Sequence, residues 1–233
     1  MMMKVVPNDI HFDGCSLITG FHGIGGTGYW TVRYLAQKLN AERVAIIDSD
    51  IISPATTTHL GRLVTPYEIL RKGNLAFFKV EVPPFREKEV AFFRSFSKWV
   101  IDAGFKEVAL IGGLDSTLRT DETTFRLVHT SSFTPKDELV KALILEDDHL
   151  IVGPVAVMLN YFEVTRFPAF AILAYASPER VDPRATVAAI SVLSEYYKFE
   201  VDVTPLIKGA EVLEQEAAKQ ETKGRKGVES IYT

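Results

Sequence analysis

The stretch Gly20–Trp30, GFHGIGGTGYW, constrains this chain more than any other. An apolar run, Ser16–Thr19, leads into it and a helical pattern, Tyr29–Leu39, leads out. The backbone must therefore pass from strand to helix within a few residues. Such a turn needs residues free to take positive φ, which glycine adopts without steric cost. Gly23, Gly25 and Gly28 also stand at the Gly-x-Gly-x-x-Gly spacing of a dinucleotide-binding turn. Asp48 lies twenty residues past Gly28, where a ribose-binding carboxylate would sit.

Four readings of the turn stand side by side. In a dinucleotide site, Gly23, Gly25 and Gly28 would let the backbone approach a pyrophosphate at the helix N-terminus, with Asp48 on the ribose. In an adenylating enzyme of the ubiquitin-activating type, GIGGTG followed by IIDSDIISPATTTHLGR is similar to that family's glycine turn and Asp-x-Asp strand end. No zinc cysteines and no catalytic cysteine follow, however. In a metal site, Asp48 and Asp50 could be ligands, but His11, His22, His59, His129 and His149 show no ligand spacing. In the structural reading the glycines serve only the turn. Tyr29 and Trp30 favour that reading, being bulky where a pyrophosphate-binding helix keeps its first turn small.

Strand-like and helix-like segments alternate along most of the chain, which predicts an α/β fold: a wound, mainly parallel sheet flanked by helices. Cys15–Thr19, the helix and the strand Arg43–Asp48 read as one βαβ unit. LGRLV and YEILRKGNLAFFKVEVP read as strands around a Lys72-Gly73-Asn74 turn, an antiparallel hairpin interrupting the winding. Glu87–Ala103 is a predicted helix whose stripe of Phe92, Phe93, Phe96, Trp99 and Val100 belongs to the core or to a subunit interface. EVALIGG and FRLVH are strands, and Thr134, followed by Pro135, Asp137 and Glu138, starts a helix. Pro154–Phe167 (helix), AFAILAY (strand) and Pro183–Phe199 (helix capped by Asp182) follow. Thr204-Pro205 opens a last helix to about Gln220. Residues 221–233, ETKGRKGVESIYT, have no helical periodicity and are predicted to form a flexible tether reaching on the order of 20 Å. The chain thus divides into a domain over 1–220 and a tail over 221–233.

Other chemistry is sparse. A net charge of −4 and the lack of a basic cluster argue against a nucleic-acid partner. The single cysteine, Cys15, cannot form an internal disulfide; it suits a reducing compartment and a buried position. The start lacks the apolar centre of a signal peptide. Uncharged runs such as LIVGPVAVMLNYF fall short of the roughly 18 residues that cross a bilayer. The expectation is a cytoplasmic protein with no membrane contact. Asp115 and Ser116 in GGLDST follow a strand, where a cap is the simplest role, and Glu146-Asp147-Asp148 reads as a solvated turn.

Four segments in order resemble the proteasome-assembly-chaperone family in its archaeal form. They are GFHGIGGTGYWTVRYLAQKLNAERVAIIDSD, KEVALIGGLDST, VGPVAVML and FPAFAILAYASPERVDPRATVAAISVLSEYYKFEVDVTPL. The resemblance spans roughly residues 14–220. It implies a nucleoside-phosphorylase-like fold without that enzyme's active-site residues, no catalytic role, no cofactor and a purely structural glycine turn.

Ile231-Tyr232-Thr233 then matches the hydrophobic–Tyr–any-residue docking motif of proteasome activators and several assembly chaperones. The resemblance implies an ATP-independent chaperone or activator whose tail enters pockets between α-subunits of the proteasome core particle. Ile231 would be the apolar anchor, Tyr232 a rigid ring with a hydroxyl, and Thr233 the carboxylate facing a lysine. It also implies a homo-oligomer, tetramer or pentamer, or pairing with a family paralogue. The aromatic helix and the last helix are the expected interfaces.

Overall fold

The structure, a computed structural model, describes residues 3–51, 53–59, 61–136, 139, 144–147 and 149–229, with side chains described as far as 216. The chain runs β1 (Met3–Val6), β2 (Ser16–Gly20), α1 (Thr27–Lys38), β3 (Glu42–Ser49), β4 (Thr57–His59), β5 (Arg62–Val64), β6 (Tyr67–Lys72) and β7 (Leu75–Val80). It continues through α2 (Glu89–Asp102), β8 (Glu107–Asp115), β9 (Phe125–His129), α3 (Gly153–Val164), β10 (Ala169–Ala176), α4 (Pro183–Tyr197) and α5 (Thr204–Glu229).

Eight strands form one sheet in the order β1-β3-β6-β7-β2-β8-β10-β9, while β4 and β5 make a separate hairpin. At its centre β7, β2, β8 and β10 are parallel, and Ser16 lies opposite both Leu75 and Glu107. β6 and β3 on one flank and β9 on the other add antiparallel pairs. The fold is the expected α/β class.

The central strands are apolar throughout because both faces are covered. Adjacent residues point to opposite faces, so each strand feeds two cores. Leu17, Phe78, Leu110 and Ala171 meet Phe92, Phe93 and Phe96 of α2 and Met158 and Phe162 of α3. Ile18, Phe77, Ile111 and Ile172 meet Val32 and Leu35 of α1 and Ile190 and Leu193 of α4. The aromatic stripe of α2 is thus committed to the chain's own core: Phe92, Phe93 and Phe96 are each 0% exposed, a burial that stabilises by about 2–3 kcal/mol apiece before entropy. Phe92, Phe93, Phe96 and Val100 are therefore not available to a subunit interface, while Trp99 packs partly buried against the same core. Cys15 is buried in the same core.

The βαβ unit needs correction. β3 runs in the same direction as β2, but the hairpin β6–β7 is inserted between them. Ile69, Phe77 and Phe78 are fully buried, so the hairpin requires cover on both faces and takes an interior place. β3, with its partly exposed pattern, tolerates the periphery. β1, which no sequence pattern announced, pairs antiparallel along the outer side of β3.

Helix ends shift modestly. α4 stops at Tyr197 because Lys198 takes a left-handed conformation, φ 57°. α5 runs on to Glu229, so helical backbone occupies 221–229, where no helical periodicity was expected. Ala, Glu, Gln, Lys and Arg dominate 214–226, and their good helix propensity offsets the cost of Gly224 and Gly227. Most of the helix expected from Thr134, including Asp137 and Glu138, lies outside the described residues.

Candidate functional site

The glycine turn joins β2 to α1 at the carboxyl edge of the sheet, and two of the three glycines at the Gly-x-Gly-x-x-Gly spacing are demanded by packing. Gly25 is left-handed, φ 64°, and a Cβ there would lie 2.5 Å from Cβ of Ala176. A Cβ on Gly28 would lie 2.4 Å from the Ile111 carbonyl oxygen of β8. A Cβ on Gly23 would meet nothing within 4 Å. The turn is also tied to the neighbouring loop: the Asp182 N–H donates to the Gly25 carbonyl at 2.9 Å. Asp182 in turn caps α4 by accepting from the Arg184 and Ala185 N–H groups, as expected. The same glycine spacing that suits a pyrophosphate here brings helix and sheet into contact.

Asp48 does not join the turn. It is exposed on β3, opposite Lys4 of β1. β7 and β6 separate β3 from β2, so about 14 Å of sheet intervene at the usual strand spacing. The nucleotide-binding alternative, built on Gly23, Gly25, Gly28 and Asp48, loses its ribose partner for this reason. Among the described residues no group of three His, Cys, Asp or Glu side chains could hold a metal ion. Asp115 accepts from the N–H and hydroxyl of Thr117, the capping role expected of it.

The residues after the turn do more. Tyr29 is buried, stacks on His22 at 4.0 Å and donates its hydroxyl to Glu81 Oε2 at 2.6 Å, while Arg33 Nη1 donates to that hydroxyl. Glu81 continues into a ladder: Lys79 Nζ bridges Glu81 at 2.9 Å and Glu68 at 3.1 Å, and Arg43 Nη1 reaches Glu68 at 2.8 Å. Arg33 Nη1 closes the other end at 3.5 Å from Glu81. Burial raises the Tyr29 pKa, and its bond to Glu81 adds to that, so the hydroxyl stays protonated near neutral pH. Burial alone would raise Glu81, but hydrogen bonds from Lys79 and Tyr29 and the charges of Lys79 and Arg33 outweigh it and hold the carboxyl low. Burial depresses His22, partly countered by Glu81.

Two cavities flank this ladder. A shallow one of about 380 Å³ lies over the turn, between His22, Trp30 and the Pro178–Val181 loop. A larger one of about 1270 Å³ lies between α1 and the β4–β5 hairpin, lined by Arg33, Arg43, Arg62, Lys79 and Glu81 among others. The ladder was not anticipated from the sequence, although a signal existed. Lys79 and Glu81 stand two residues apart at and just past the end of the apolar strand β7, and the Gly73 turn places Glu68 opposite Lys79.

Ile231, Tyr232 and Thr233 lie outside the described residues. α5, which leads to them, is fastened by Arg184 to Glu214, with bonds of 2.5 and 3.0 Å, and by Arg180 to the Leu213 carbonyl. From Glu214 its backbone continues to Glu229, about 22 Å further at helical rise. Among the described residues no helix is long and apolar enough to cross a membrane.

A sequence profile of the PAC2 family matches residues 17–221. No curated protein matches the chain in sequence. Among solved structures, Pyrococcus furiosus PbaA, an archaeal homologue of proteasome-assembly chaperone, superposes with a TM-score of 0.78 at 20% identity, covering 100% of this chain and 98% of that one. P. furiosus PbaB, an archaeal proteasome activator, gives 0.73 at 17% identity, covering 94% and 98%. A proteasome-assembly chaperone homologue from Mycobacterium tuberculosis gives 0.64 at 16% identity, covering 88% and 94%. At these identities the likeness is one of fold.

Proposed function

This chain belongs to the PAC2 family, and from that premise we propose that it is an ATP-independent proteasome assembly chaperone or activator. Its C-terminal Ile231-Tyr232-Thr233 docks into pockets between α-subunits of the proteasome core particle. One observation carries the reading: the family match over 17–221 is followed by a hydrophobic–Tyr–any-residue tripeptide at 231–233. The course of α5 supports it, since a helix fastened at Glu214 and continuing to Glu229 carries the chain about 22 Å beyond its anchor. A helical arm costs less ordering entropy on docking than a fully flexible tether of equal length.

One short peptide in one pocket binds weakly, so the protein acts as a homo-oligomer presenting several tails at once. Because the stripe of α2 is buried, the subunit contacts use other surfaces, with exposed apolar side chains such as Leu150, Val152 and Val164 available for them. The function needs no cofactor and no catalytic residue, and it places the protein where proteasomes work, in the cytoplasm.

Pull-down of archaeal-type core particles tests the reading. Deletion of Ile231–Thr233, or Tyr232→Ala, is expected to abolish capture while circular dichroism and native mass remain those of the wild type. Capture of core particles at wild-type strength by the tail-less protein sinks it.

A further inference from the structure

We propose that the groove between α1 and the β4–β5 hairpin binds an acidic peptide segment of a partner protein, its carboxylates held by Arg33, Arg43 and Arg62. The groove, about 1270 Å³, is lined by five basic side chains and two acidic ones, in a chain whose net charge is −4. Counting Glu68, which accepts from Arg43 and Lys79 behind the wall, five positive charges face three negative ones, a local excess that runs against the sign of the whole molecule.

The arginines are set up as carboxylate receptors. Arg33 and Arg43 are 43% and 38% exposed, and each is fixed to the ladder through Nη1 alone. Arg33 Nη1 serves the Tyr29 hydroxyl and Glu81, and Arg43 Nη1 serves Glu68 at 2.8 Å and the Leu63 carbonyl at 3.0 Å. Among the described residues, nothing takes the Nε and Nη2 protons of either side chain. Those two donors form the parallel fork that matches a carboxylate, and a guanidinium already held at its other corner loses little entropy in using it. Arg62, exposed on β5, makes no ion pair among the described residues and adds a third cation.

The occupant is peptide rather than nucleic acid because the wall also contains Glu42 and Glu81. Their negative charge disfavours a continuous phosphate backbone but leaves room for separated side-chain carboxylates. In addition β4 is exposed throughout and pairs on one side only, with β5, so its free edge can hydrogen-bond an extended chain. The described lining of the groove lies within residues 33–82, whereas the proteasome reading rests on 231–233, so the two are tested by separate variants and fail independently.

Fluorescence anisotropy with labelled hexaglutamate tests it, with hexaglutamine and hexathymidylate as controls. The wild type is expected to bind hexaglutamate saturably, more weakly as salt rises, and to ignore hexaglutamine. Arg43→Lys keeps the charge but removes the fork, and is expected to weaken binding about tenfold. Arg62→Glu lies outside the ladder, should melt like the wild type, and is expected to abolish binding; it decides the matter alone if Arg43→Lys does not fold. Deletion of Ile231–Thr233 should leave hexaglutamate binding unchanged. No saturable binding by the wild type, undiminished binding by folded Arg62→Glu, or tighter binding of hexathymidylate would overturn the proposal.

Discussion

Gly28 and Tyr29 are neighbours with opposite tasks: one must have no side chain so that α1 can touch β8, and the other sends its hydroxyl into the ladder. The bulk of Tyr29, which in the sequence only argued against a pyrophosphate, is therefore the link between the turn and Glu81. Within the ladder Lys79 matters most, because it alone touches both carboxylates and its side chain is only 12% exposed. Lys79→Met is expected to destabilise the fold by about 2 kcal/mol at pH 7, below the full cost of breaking a buried pair because the groove admits water. The pH dependence stems from Glu81, whose pKa in the folded protein lies below its unfolded value. Its contribution is present above the unfolded pKa, about 4.3, and is lost as pH falls through the folded one. Without Lys79 the burial penalty on Glu81 gains weight. The deficit of Lys79→Met relative to wild type should therefore shrink as pH falls below about 4.3 in urea melts, where the wild type loses the Glu81 contribution. An unchanged or growing deficit contradicts this account of the ladder.

At the scale of elements, α4 and the glycine turn depend on one residue. Asp182 caps α4 through its carboxylate, accepts from the Ser177 N–H at 3.0 Å, and donates its own N–H to Gly25. Asp182→Ala should cost about 1–2 kcal/mol, at the upper end for a cap, because three N–H donors lose their acceptor together. Asp182→Asn, which keeps an acceptor, should recover most of the loss, as thermal unfolding can show. This cap was legible: Asp182 immediately precedes Pro183 and an apolar periodic run. The hairpin around Gly73 was legible too, and counting outward from Lys72 opposite Leu75 gives Glu68 opposite Lys79. What could not be read was that Arg33 of α1 and Arg43 of β3 close the ladder. Both sit far from the hairpin in sequence, and only the sheet order brings them to it.

For the whole molecule, the two cores lie within the α/β body, and the last residue of α5 buried among the described side chains is Ala210. If the described cores carry the fold, removing residues 217–233 costs less than about 1 kcal/mol, roughly 3 °C in Tm for a chain this size, while abolishing capture of core particles. A larger shift would mean that the end of α5 contributes to the fold. The sequence by itself determined the fold class, most of the elements and the turn, because alternation of apolar residues, glycine spacing and caps are local signals. It also carried the resemblance that the family match bears out. The tertiary structure alone decided the use of the glycine turn. The Gly-x-Gly-x-x-Gly spacing and the distance to Asp48 are the same whether β3 lies beside β2 or three strands away. Strand order is set by which segments need cover on both faces, and that competition involves the whole chain. With the hairpin β6–β7 in the interior, Asp48 is carried to the periphery, Gly28 closes on Ile111, and GFHGIGGTG serves to pack helix against sheet.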